Sequence, residues 1–189
     1  MNVRRIGLFG GTFDPPHFGH VAALEAAAAT RRYDLIEVTV AGDPYLKSEE
    51  SRVRSAQVRL AMAKAAFDSL ALVDVSDQEI LRTGPSYTVD TVRELLEEAD
   101  HVDLIVGADL AEQLNGWYGA DELRTLVRVG IVPRPGAPTV VPDGWDGYVI
   151  AMDPVDLSSS FIRNTELSRD VLAKYLPAAV IPLYLDQRG

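Results

Sequence analysis

Two of the chain's three histidines, His17 and His20, fall in the run Gly10-Gly11-Thr12-Phe13-Asp14-Pro15-Pro16-His17-Phe18-Gly19-His20. At i and i+3 the two imidazoles share a face of the first turn of a helix. There the free N–H groups and the positive end of the dipole favour a bound phosphate. Gly10 and Gly11 let the backbone turn sharply and approach a ligand closely. The prolines stiffen the entry to the helix, and Gly19 keeps the histidine face open. The run is neither a G-K-[ST] phosphate loop nor a G-x-G-x-x-G dinucleotide fingerprint. A tight strand–helix turn with two partly exposed histidines, one of them a cap, fits the same residues. So does a two-histidine metal site, although no partner carboxylate lies at obvious ligand spacing.

The rest of the chain must place this loop at the end of a buried strand. Its 189 residues suit one domain, 1–189, with a continuous core. Hydrophobic residues at 47% and charged residues at 24% are ordinary for a globular protein. There is no cysteine, so disulfides, thiolate metal sites and cysteine nucleophiles are excluded. A formal charge of −10 repels DNA and RNA, so no nucleic-acid partner is expected. No apolar run reaches the roughly 20 residues of a spanning helix, so no membrane partner is expected either. The apolar stretch at residues 6–9 is too short for the core of a signal peptide, and a cytoplasmic location is expected.

Residues 3–9 read as the first strand, and an alanine-rich helix follows over 18–30. Further strands are predicted at 34–40, 72–75, 101–106, 128–132 and 148–152. Helices are predicted at 51–67, with Ala56, Leu60, Ala63 and Phe67 on one face, and from 86–88 onward, with Val89, Val92, Leu96 and Ala99. The latter carries hydroxyl groups at its start that can cap it. Another helix is predicted over 121–127, and residues 133–147 read as an exposed Pro/Gly loop. Two small helices close the chain, the second starting at Pro177. This alternation predicts an α/β fold, a Rossmann-like doubly wound parallel sheet with a small C-terminal helical part. Ligands of such sheets bind beyond the carboxyl ends of the strands, where the strand order switches.

The loop at 10–20 resembles the [H/T]-x-G-H loop of the nucleotidyltransferase superfamily, in the G-G-T-F-D-P-P-H-x-G-H form of bacterial nicotinate-nucleotide adenylyltransferases. The resemblance extends over almost the whole chain. Ser158-Ser159-Ser160-Phe161-Ile162-Arg163 is similar to the I-S-S-T-x-I-R signature, with Ser160 in place of threonine. Gly84-Pro85-Ser86-Tyr87-Thr88-Val89-Asp90-Thr91 is similar to the S-Y-T-x-D-T segment. Gly107-Ala108-Asp109, Trp117-Tyr118 and Arg134-Pro135-Gly136 fall where the family has them.

The resemblance implies adenylyl transfer from ATP to nicotinate mononucleotide, giving nicotinate adenine dinucleotide and pyrophosphate. Such a reaction needs positioning and charge neutralisation rather than an enzyme nucleophile. It implies that His17, His20 and Arg163 act on the ATP phosphates, with Gly10, Gly11, Thr12, Phe13, Ser159 and Ser160 around them. Gly107 and Asp109 would sit beside adenosine, although Asp109 equally reads as a helix N-cap. The nicotinate ring would stack on Trp117 and its carboxylate would take backbone N–H groups of Thr88 and Tyr118. Arg134 and Lys47 complete the implied substrate contacts. Lys47 stands in Asp43-Pro44-Tyr45-Leu46-Lys47, which lacks the histidine of the family's P-P-H-K segment. Mg²⁺ is implied on the triphosphate, with water filling most of its shell and no protein ligand. The serine run also reads as a plain helix cap, and Trp117-Tyr118 as aromatics at the edge of the core. Two other functions stay open: an adenylyl- or cytidylyltransferase for another acceptor such as phosphopantetheine, and a nucleotide-binding module without catalysis.

Overall fold

The computed structural model describes residues 4–42 and 53–186. Its strands are β1 Arg5–Gly11, β2 Leu35–Val40, β3 Val73–Ser76, β4 His101–Gly107, β5 Val127–Val132 and β6 Gly147–Val149. Every neighbouring pair is parallel, in the order β3-β2-β1-β4-β5-β6. This is the doubly wound order, and its direction reverses between β1 and β4. The helices are α1 Phe18–Ala29, α2 Ala56–Phe67, α3 Gln78–Leu81, α4 Thr88–Leu95, α5 Ala108–Ala111, α6 Ala120–Leu126, α7 Ser159–Asn164, α8 Arg169–Leu172 and α9 Val180–Leu185, with a 3-10 turn at Leu114–Gly116.

The central strands are buried on both faces because helices cover both. Period-two alternation divides their side chains between two cores. Ile6, Leu8, Val102, Leu104 and Val106 pack with α4 and α6, whereas Phe9 and Ile105 pack with α1, α2 and α9. A polar cluster packs against the inner strands of this sheet. Tyr33 hydrogen-bonds Tyr148, whose hydroxyl donates to Asp103 Oδ2 at 2.7 Å. Gly7 makes room for it, since a Cβ there would lie 3.2 Å from the Tyr33 ring.

The predicted elements are present, with instructive differences. The α2 helix starts at Ala56 behind the Ser55 cap, and its buried face is Arg59, Met62, Ala63, Ala66 and Phe67. Ala56 and Leu60 are only half-buried, so the helix is rotated from the expected face. The N-cap of α4 is Tyr87, without a side-chain capping bond, because Ser86 Oγ instead accepts from Gly42 N at 3.0 Å. Among the described residues three short helices, not two, follow β6.

Candidate active site

Gly10 and Gly11 end β1 still paired with β2, and the chain then turns through Phe13 at φ 50°. Phe13 turns its ring inward against Phe67 and His20, with centroids 5.5 and 5.2 Å away. A Cβ on Gly11 would approach that ring to 2.8 Å, so the second glycine is what lets the turn close. His17 then caps α1. Its Nδ1 accepts from Gly19 N at 3.1 Å, while His17 N donates to His20 Nδ1 at 3.1 Å. The two rings stack with centroids 3.8 Å apart.

This reciprocal cap has a chemical consequence. An Nδ1 that accepts a backbone N–H cannot carry a proton, so each neutral ring holds its proton on Nε2 and presents it as a donor. Burial, aided by the charge of Arg134, pushes the His17 pKa down from 6.5 to about 4. At neutral pH His17 is therefore an uncharged donor. The cap and the phosphate-contact readings are compatible, but His17 is 1% exposed rather than partly exposed.

These rings line a cleft of about 360 Å³ over the carboxyl ends of β1 and β4, the point where strand order reverses. On the β4 side, Gly107 is the N-cap of α5 and Asp109 lies in its first turn, so Asp109 is not the cap. Its carboxylate sits 3.8 Å from Arg134 Nε, and Arg134 also donates to Leu157 O at 3.0 Å. Ser158 caps α7, Ser159 Oγ donates to Pro15 O at 2.9 Å, and Ser160 Oγ accepts from Arg163 at 3.2 Å. The Ser159 bond ties α7 to the loop at 10–20. Thr88, at the first position of α4, and Trp117 border the other end of the cleft.

The cleft thus brings together His17, His20, Gly10, Gly11, Thr12, Phe13, Gly107, Asp109, Ser159, Ser160, Thr88, Trp117 and Arg134. Arg163 and Tyr118 are not among its lining residues. Arg163 turns to Asp14 O, and Tyr118 stacks on Tyr87 with centroids 4.1 Å apart. Lys47 lies outside the described residues. Two residues at the site were not anticipated. Glu79 lines the cleft and accepts from Thr91 Oγ1 at 2.7 Å. Arg59 lies behind the loop, and a charged residue on the apolar stripe of α2 was its available signal. The donors of the cleft are N–H and hydroxyl groups suited to anions. Among the described residues, no group of three His, Cys, Asp or Glu could hold a metal ion. None of the described helices is long and apolar enough to cross a membrane.

A family model for cytidylyltransferase-like proteins matches residues 8–165. A protein of Shouchella clausii described as a probable nicotinate-nucleotide adenylyltransferase is 36% identical over 99% of this chain and 96% of its own length. One of Gemmatimonas aurantiaca with the same description is 34% identical over 93% of this chain and 87% of its own. The Plasmodium falciparum nicotinic acid mononucleotide adenylyltransferase complexed with NaAD superposes with a TM-score of 0.80 at 18% identity, over 97% of this chain and 95% of that one. At that identity the superposition speaks to the fold.

Proposed function

We infer the activity from one premise: the chain belongs to the family of nicotinate-nucleotide adenylyltransferases. It is a nucleotidyltransferase of NAD biosynthesis, moving AMP from ATP to nicotinate mononucleotide. The observation that carries the reading is the pair of Nε2–H donors locked at the start of α1, facing a cleft at the switch point.

A phosphate oxygen of the mononucleotide attacks the α-phosphorus of ATP. The new P–O bond forms as the bond to the bridging oxygen breaks, and that electron pair leaves with pyrophosphate. Charge builds on the departing oxygens, where preorganised donors are worth most. We assign that work to His17 and His20, with His17 donating as a neutral imidazole. Gly10, Gly11, Thr12 and Phe13 form the wall against which the triphosphate lies. Ser159, Ser160 and Arg163 hold its outer phosphates, and Gly107 and Asp109 accept the adenosine. Trp117 stacks on the pyridine ring, while the N–H groups of Thr88 and Tyr118 take its carboxylate. Arg134 adds positive charge beside the phosphates, and Lys47 remains a proposed phosphate contact. Mg²⁺ would be held by triphosphate oxygens and water, and when bound it supplies further charge neutralisation. We place the enzyme in the cytoplasm as one domain acting on small molecules rather than nucleic acid.

The descriptions of the relatives name nicotinate nucleotide, so neither phosphopantetheine as acceptor nor a silent nucleotide-binding module is favoured. The test is pyrophosphate release from ATP with nicotinate mononucleotide and, separately, with phosphopantetheine. Release with the second alone, or with neither, would overturn the reading.

A further inference from the structure

We propose that Arg59 is a positioning residue for this reaction, fixing the loop at 10–20 from behind. The proposal rests on the function above. Arg59 is 2% exposed in the buried face of α2 and is not part of the cleft lining. Among the described residues, the hydrogen bonds its guanidinium makes go to main-chain oxygens. Nε donates to Arg54 O at 3.0 Å, NH1 to Thr12 O at 3.0 Å and NH2 to Gly42 O at 3.1 Å. The three carbonyls come from three stretches: the loop after β1, the residues just after β2, and the lead into α2.

Burying a cation is costly, and an apolar side chain of similar volume beside Met62, Ala63 and Phe67 packs at lower cost. What only a guanidinium supplies is a rigid planar fork that fixes several acceptors in direction as well as distance. The acceptor that matters is Thr12 O, because Thr12 and Phe13 line the cleft and lead directly to the histidine cap. A second brace runs in parallel. Arg54 grips the fully buried Asp14 carboxylate through its backbone N at 3.0 Å and its side chain at 2.8 Å, and Asp14 O receives Arg163. Arg59, by holding Arg54 O, joins the two braces. In-line displacement depends on such placement, since a shift of about 1 Å costs roughly 100-fold in rate.

The experiment uses the full chain with Arg59→Lys, Arg59→Met and Arg59→Gln, each checked by circular dichroism and thermal unfolding. Pyrophosphate release is then followed with ATP and nicotinate mononucleotide. The expected result is folded variants whose kcat falls roughly 100-fold while KM for the mononucleotide stays within about threefold. Lysine should not rescue, because it keeps the charge and loses the fork. Folded variants with kcat within about twofold of wild type would overturn the proposal, and so would loss of folding in all three, which would assign Arg59 to the core alone. The wild-type chain measured in parallel reports on the functional reading separately, since its inactivity condemns that reading and not the brace.

Discussion

Arg163 donates to the main-chain oxygen of Asp14 at 2.5 Å, across 149 positions of sequence, and so binds α7 to the loop that carries both histidines. Its other terminal nitrogen reaches Ser160 Oγ at 3.2 Å. The guanidinium is therefore held before any nucleotide arrives. Arg163→Ala should lower kcat/KM for ATP by roughly 100-fold, the scale of losing one preorganised donor. Arg163→Lys should recover little, because an ammonium cannot hold Asp14 O, Ser160 and a phosphate in one plane. Calorimetry with ATP and with nicotinate mononucleotide checks the assignment. Equal weakening of both ligands would mean that Arg163 acts only as a structural tie.

His17 leads to a prediction about stability as well as rate. Its folded pKa, about 4, lies below the ordinary 6.5, so the unfolded chain binds more protons between those values. Stability from this group is complete above about pH 6.5 and is lost as pH falls toward 4. Between pH 7 and pH 5 the loss should be about 2 kcal/mol. Urea unfolding of wild type and His17→Gln at both pH values should show that the variant lacks this component. His17→Ala should also reduce turnover roughly 100-fold and, by removing a helix cap, cost about 1 kcal/mol at pH 7. An equal acid sensitivity in wild type and variant would count against the buried neutral imidazole.

Acceptor specificity should follow from the pyridine end of the cleft. The N–H of Thr88, in the first turn of α4, has no intrahelical acceptor and lies at the positive end of the helix. A carboxylate can accept there, whereas a carboxamide turns an NH₂ toward a donor. A charge-assisted bond is worth about 1.5–3 kcal/mol, so nicotinate mononucleotide should be favoured over its amide by roughly 100-fold in kcat/KM. Trp117→Ala should weaken both acceptors by removing the stacking surface. Comparable kcat/KM for acid and amide would overturn the specificity claim.

The Tyr33–Tyr148–Asp103 cluster separates stability from activity. Asp103 is 1% exposed, and Tyr148 donates to its Oδ2 at 2.7 Å. Tyr148→Phe leaves that carboxylate oxygen without this donor and should cost about 1–3 kcal/mol in unfolding free energy. None of the three side chains lines the cleft, so kcat and both KM values should stay near wild type. A large fall in kcat with little change in unfolding midpoint would contradict this division.

The strands β1 to β6 and the longer helices were legible in the residues alone, because hydrophobic period and Gly/Pro punctuation are local properties, whereas the one-turn helices α3 and α5 and one of those after β6 were not. The sequence also located the loop at 10–20, since glycines, prolines and histidines cannot be crowded together without shaping the backbone and its chemistry. What it could not decide was where side chains meet across long separations. Arg59 stands out in the sequence only as a charge on the apolar stripe of α2, and that its guanidinium reaches Thr12 O is decided by how α2 packs against the sheet. Ser86 read as a helix cap until the fold brought Gly42 N within reach of its hydroxyl. The neutrality of His17 likewise belongs to the tertiary structure. Desolvation depends on what covers the ring: His20 is already its neighbour in the first turn of α1, but the burial of His17 and the approach of Arg134 come only when β1, β5 and α1 are assembled.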